Sequence, residues 1–247
     1  MHVLLLAAVL LLAPASLSAQ ERGGAPAPPT SRAAAPVDFT GYWVSMITDF
    51  WRYRMLTPPA ANLDYLPVTP EGRQVAEAWD PARDEAAGEQ CRGYGAVGVM
   101  RLPGRLHITW ESDEVLTLDA DAGTQTRRFH FAGAPTVATP TWQGLSVARW
   151  GRPFTQSSPG LAPQGELRVT TTQMRPGYIR KNGIPYSGNA TMNEYFVRLV
   201  DDDGQEFLAV TQMLEDPQYF LQPIVRTMLF KKQPDATGWN PTPCSAR

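Results

Sequence analysis

TWQGLSVARW at residues 141–150, GELRVTTTQM at 165–174, NGIPYSGNATMNEYFVRL at 182–199 and QEFLAVTQMLEDP at 205–217 decide the fold. Each segment sets apolar or β-branched residues at alternate positions, the period of a strand with one buried face. Gly, Pro, Asn and Asp gather between the segments, where chain reversal needs them. The same period extends outward. LHITW (106–110) and VLTL (115–118) read as a hairpin about an acidic turn, residues 124–131 as the next strand and Val225–Lys231 as the last. Toward the N-terminus FTGYWVS (39–45) opens the series, giving about nine strands in a mainly β chain. No helix-length run separates successive strands after Met100, which argues for an antiparallel meander over a parallel sheet. Closure into a barrel removes the sheet edges that a sandwich would leave.

Before the strands lies a short helical region. Thr69 stands as N-cap, Pro70 at the first helical position and Glu71 in the first turn, followed by Val75, Ala76 and Trp79. Asp80-Pro81 repeats that logic for a second helix through about Glu89. Two helices this short cannot form a core alone, so they read as a cap packed on the sheet. The aromatic and arginine-rich run from Asp49 to Tyr65 is broken by Pro58-Pro59.

Val3–Leu12 is an apolar run followed by Pro14 and small residues to Ala19, the pattern of an export signal cleaved near Ala19. It is too short for a membrane-spanning helix. Residues 20–37, rich in Ala and Pro, read as a disordered spacer, and residues 38–247 as one domain. A periplasmic or extracellular destination follows. A net charge of −2 supplies no footprint for nucleic acid. Positive charge is almost all arginine, Lys181, Lys231 and Lys232 being the only lysines, and arginine suits fixed, planar, hydrogen-bonded positions. In an oxidising compartment the two cysteines, Cys91 and Cys244, form an even pair and are expected to bridge.

Chemistry-bearing motifs are sparse. His107 and His130 fall on different strands, and no metal-ligand or cofactor motif is present. Asp201-Asp202-Asp203-Gly204 reads as a hairpin turn rather than a calcium loop, because Gln212 stands where a bidentate Glu is needed. Gly144-Leu145-Ser146 lacks the strand-turn-helix context of a nucleophile elbow, so Ser146 reads as a strand residue. The candidate ligand-binding group is Arg128, His130, Arg149, Trp150, Tyr186, Glu194 and Tyr195. Glu194 shares a face with Met192 and Phe196, and a carboxylate among apolar neighbours either pairs with an arginine or rises in pKa. It therefore braces the barrel interior, lines a ligand cavity, or serves as a general acid.

Gly41-Tyr42-Trp43 resembles the Gly-x-Trp opening of lipocalin-like barrels. The segments at 141–150, 165–172, 180–187 (RKNGIPYS), 193–198 and 215–223 (EDPQYFLQP) resemble, in order and spacing, a large family of secreted bacterial proteins of unassigned function. Pro70-Glu71-Gly72-Arg73, Gln90-Cys91 and Thr126-Arg127-Arg128 fit the same pattern. The resemblance covers most of residues 38–244 and implies a calycin-like barrel outside the cytoplasm with no assigned activity. Tyr186 stands where many members carry His, which puts in doubt any acid-base role built on that imidazole. Three functions fit this reading: a barrel binding a small apolar or aromatic ligand, an isomerase or hydrolase using Glu194, Tyr186 or His107 at the barrel mouth, and an accessory protein of an exported complex.

Overall fold

A computed structural model describes residues 29–48, 51–60, 62–63, 65–152 and 165–247. The expected export signal lies outside these residues. In chain order the elements are β1 (Gly41–Met46), α1 (Trp51–Met55), α2 (Pro70–Glu77), α3 (Pro81–Ala86), a 3₁₀ turn (Gln90–Tyr94) and α4 (Ala96–Val99). Then come β2 (Arg105–Ser112), β3 (Val115–Ala120), β4 (Gln125–His130), β5 (Leu145–Trp150), β6 (Glu166–Thr172), β7 (Gly177–Tyr178) and β8 (Pro185–Tyr186). The last three strands are β9 (Thr191–Val200), β10 (Glu206–Glu215) and β11 (Ile224–Gln233).

Nine of these strands close a barrel in the order β1-β2-β3-β4-β5-β6-β9-β10-β11, with β11 pairing back onto β1; β7 and β8 form a separate ribbon. All joints are antiparallel except one. Strands β4 and β5 run parallel through Phe129 opposite Ser146 and His130 opposite Val147. Alternating directions cannot close a ring of nine, so one like-directed pair is geometrically required. Residues 131–144 carry the chain from the end of β4 to the start of β5, long enough for the dozen or so residues that a parallel connection needs.

Strand alternation fills the barrel. Trp43, Leu106, Ile108, Leu118, Phe129, Leu167, Phe196, Leu208 and Phe230 belong to one packed interior cluster. A second cluster lies under the cap, where Ala76 of α2 and Ala96 and Val97 of α4 meet Tyr186, Met192, Leu214, Phe220 and Ile224. Thr69 caps α2 as expected, its side chain accepting from the Gly72 amide at 3.1 Å, and Asp80 caps α3 through the Ala82 amide. The Asp201–Gly204 segment turns β9 into β10, with the Gly204 amide donating to the Asp201 carbonyl and Gly204 at φ +80°. Cys91 and Cys244 are bridged, tying the C-terminal tail to the 3₁₀ turn.

The spacer reading needs correction for residues 29–37. The Arg32 amide donates to the Asp113 carbonyl, the Ser31 amide and hydroxyl to Glu114, and the Trp150 indole to the Ser31 carbonyl at 2.7 Å. Val37 is buried in the barrel cluster. Partners supplied by the barrel, not the segment's own composition, order it.

Candidate functional site

The inner face of the barrel carries one polar layer, between the interior cluster and the cap. Glu194 on β9 sits opposite Gln212 on β10, and Gln212 opposite Arg226 on β11. Arg127, facing inward from β4, donates to both carboxylate oxygens of Glu194, from Nη1 at 2.9 Å and from Nη2. Gln212 Nε2 adds a bond to Glu194 Oε1 at 2.9 Å and one to the Ala96 carbonyl of α4. Arg127 Nη2 also reaches Thr171 Oγ1, which is 2.8 Å from Ser146 Oγ. Ser146 is thus a strand residue inside the barrel. Both members of the ion pair are sealed from solvent, at 1% and 0% side-chain exposure. A buried pair bonded at both carboxylate oxygens specifies an arrangement of strands; its desolvation cost offsets much of its attraction.

The candidate group expected from the sequence does not converge. Glu194 faces inward, and Tyr186 is fully buried under the cap, where burial pushes its phenol pKa up. Arg128 points outward from β4 and pairs with Glu111 on the neighbouring wall; the arginine that meets Glu194 is Arg127. Arg149 is exposed on β5. Trp150 covers the barrel end beside Phe131 and Phe39. Tyr195 lies on the outer face under the Arg168 guanidinium. His130, half-buried, has its pKa lowered by burial, with Arg128 adding to the effect and Glu111 opposing it. His107 is stacked on Tyr42 at 4.0 Å on the outer wall, because its neighbours Leu106 and Ile108 take the inward positions. Two segments quoted above for their resemblance do meet: Asp216 is buried and accepts from the Ser187 amide at 2.6 Å and the Ser187 hydroxyl at 2.9 Å.

The open space lies at the capped end. After β1 the chain folds into α1, and Arg54 fastens it there, donating to the carbonyls of Arg101 and Met46 and to the Ser45 hydroxyl. The loop after β7 faces it, with the Arg180 guanidinium over the Tyr53 ring at 5.1 Å and Lys181 Nζ over the Tyr94 ring at 5.3 Å. Between them is a cleft of about 230 Å³ whose walls include Tyr53, Met55, Leu56, Leu102 and Ile179 with Arg101, Arg180 and Lys181. A second cleft of about 200 Å³ lies beside it against Tyr65, Leu66, Ile224 and Val225, and it shares Arg101 and Arg180. Arg226 completes this wall, donating to the Val97 carbonyl at 2.8 Å and the Ile179 carbonyl at 3.4 Å. Burial first, then the neighbouring Arg101 and Arg180 guanidiniums, press its pKa below the ordinary arginine value, with Glu194 opposing.

The candidate group read from the sequence does not include the cleft residues. Arg101 and Arg180 sit in irregular segments with no period to place them. Arg226 was within reach, since on β11 it shares parity with the inward Ile224, Met228 and Phe230. Among the described residues no cluster of His, Cys, Asp or Glu could hold a metal ion, and no helix is long and apolar enough to cross a membrane. Compared with known proteins, the chain matches no family model, no curated protein and no solved structure.

Proposed function

We propose that the chain is an exported binding protein for a small amphiphilic anion, a molecule with an apolar or aromatic body and one acidic group. The body lies in the capped-end cleft rather than in the lumen, which packed side chains occupy. The observation that carries this reading is the cleft wall: Tyr53, Met55 and Leu56 offer apolar surface beside the part-exposed Arg180 and Lys181. The cleft lining mixes polar and apolar surface, which suits a ligand that carries both, and a planar guanidinium suits carboxylate, sulfonate or phosphate oxygens.

The test is fluorescence titration of the mature chain with anilinonaphthalene sulfonate, an aromatic body with one acid group. Saturable enhancement is expected, displaced by a long-chain carboxylate but not by the matching alcohol. Arg180→Gln is expected to weaken binding by roughly tenfold, the loss of one charge-assisted hydrogen bond. Equal displacement by acid and alcohol would remove the anion from the proposal. Absence of saturable binding would remove the site.

A further inference from the structure

Four adjacent strands of the barrel, β9, β10, β11 and β1, turn an almost uncharged wall outward. Their pairing aligns the outward residues in rows. Leu199, Phe207, Lys231 and Val44 form the row beside the β9–β10 turn, and Val197, Ala209, Leu229 and Met46 form the next. Tyr195, Thr211 and Thr227 follow, then Asn193, Met213 and Val225 toward the capped end. None of the apolar members belongs to either core cluster, and Leu199 and Val225, at the two ends, stand out in solvent. The rest of the barrel wall differs. There Arg105, Glu111, Asp119, Arg128, Arg149 and Arg168 point outward. The outward positions of β9, β10, β11 and β1 hold two charges, Lys231 and Glu215. Loss of charge together with Met and aromatic side chains is the compositional mark of an interface core, and a contiguous apolar patch of this extent marks a contact surface.

We infer that this wall is the interface of a twofold dimer of the chain. Its two charges select a second copy as the occupant. Lys231 lies in the row beside the β9–β10 turn, and Glu215 lies at the capped end of β10, opposite Thr191. A twofold axis that lies in the face and runs across the strands sets each copy's turn end over its partner's capped end. Each Lys231 then comes beside the partner's Glu215, and Val197, Ala209 and Leu229 meet the partner's Met213 and Val225. An axis along the strands would instead bring lysine toward lysine and glutamate toward glutamate. Size agrees with this occupant. Three strands of ten residues and one of six stand side by side, a face of roughly 20 Å by 30 Å from strand spacing and rise. Two such faces bury about 1,200 Å², the lower end of the range for specific interfaces, and they stack as sheets do in a sandwich.

Sedimentation velocity of the mature chain tests the interface. A reversible dimer is expected, half formed at on the order of 10 μM. Leu229→Glu, in the middle of the face, is expected to weaken it at least about 100-fold with circular dichroism unchanged, because a charge would be buried without a partner. Val147→Glu, at an exposed apolar position on the charged wall, is expected to leave the dimer intact. Lys231→Glu and Glu215→Lys are each expected to weaken it about tenfold, and the two together to restore it, since opposite charges then face each other again. These swaps carry the test if Leu229→Glu does not fold. A chain that stays monomeric to about 100 μM overturns the dimer; if that monomer floats with phosphatidylcholine vesicles, the face belongs to a bilayer. Dimers that survive Leu229→Glu, or that Val147→Glu abolishes, place the contact on another surface and overturn it too. A double swap no tighter than either single one does the same, because a self-complementary face requires the rescue.

Discussion

Arg127 and Arg128 are adjacent in sequence and meet different solvents. Strand alternation sends Arg127 inward beside Phe129 and leaves Arg128 on the outer wall with Glu111. Removing one partner of the inner pair strands a charge in the barrel, so Glu194→Leu is expected to cost about 3–5 kcal/mol. Replacing both residues, as Arg127→Met with Glu194→Leu, is expected to cost less than either single change, since no uncompensated charge remains. Urea unfolding of the three variants measures this; a double mutant that loses the sum of the two single losses would mean the pair is not coupled. The position of Glu194 was legible, because Met192 and Phe196 on either side fix its face. Its partner was legible by the same rule, yet the candidate group held Arg128 and Arg149 and left out Arg127, which shares the inward parity of Phe129. Arg101 and Arg180 were out of reach, because their placement comes from tertiary contacts around α1 and the β7 loop.

Elements were read as well as their length allowed. Strands β2, β3, β9, β10 and β11 each show several alternations, while α1 and α4, at 5 and 4 residues, are too short to show any period. The nine-strand count already implied one parallel joint, although local patterning showed only antiparallel neighbours. Helix α2 announced itself through Thr69 and Pro70, but its docking did not. A side chain at Gly72 would lie 2.7 Å from Val68 Cγ1 and 2.9 Å from the Tyr219 carbonyl. Helix propensity alone predicts that Gly72→Ala stabilises by about 1 kcal/mol. The contacts predict the reverse, a loss of about 1–3 kcal/mol as the helix is pushed off the Asp216–Phe220 turn. A thermal melt with a raised midpoint would show that α2 can shift freely on that turn.

At the scale of the molecule, the C-terminal tail joins barrel to cap. The Thr242 amide donates to the Asp121 carbonyl, Thr124 Oγ1 donates to the Thr242 carbonyl, and the Ala246 amide donates to Glu85 of α3. The bridge from Cys244 to Cys91 closes a span of 153 residues, worth about 5 kcal/mol in the chain-entropy account. The barrel keeps its own ring of strand pairs without that bridge, whereas the cap consists of short segments that rely on the tail. Replacing both cysteines by serine is therefore expected to loosen the cap first. Hydrogen exchange should quicken at the amides of Ala96 and Val99, which bond to Trp142 and Gly95, before it quickens in the paired centre of β9 and β10. Anilinonaphthalene sulfonate affinity should fall with it, because Gly93, Tyr94 and Gly98 form part of the cleft wall. Uniform acceleration across the strands would instead mean that cap and barrel unfold as one unit, and that the bridge stabilises the whole chain rather than the site it borders.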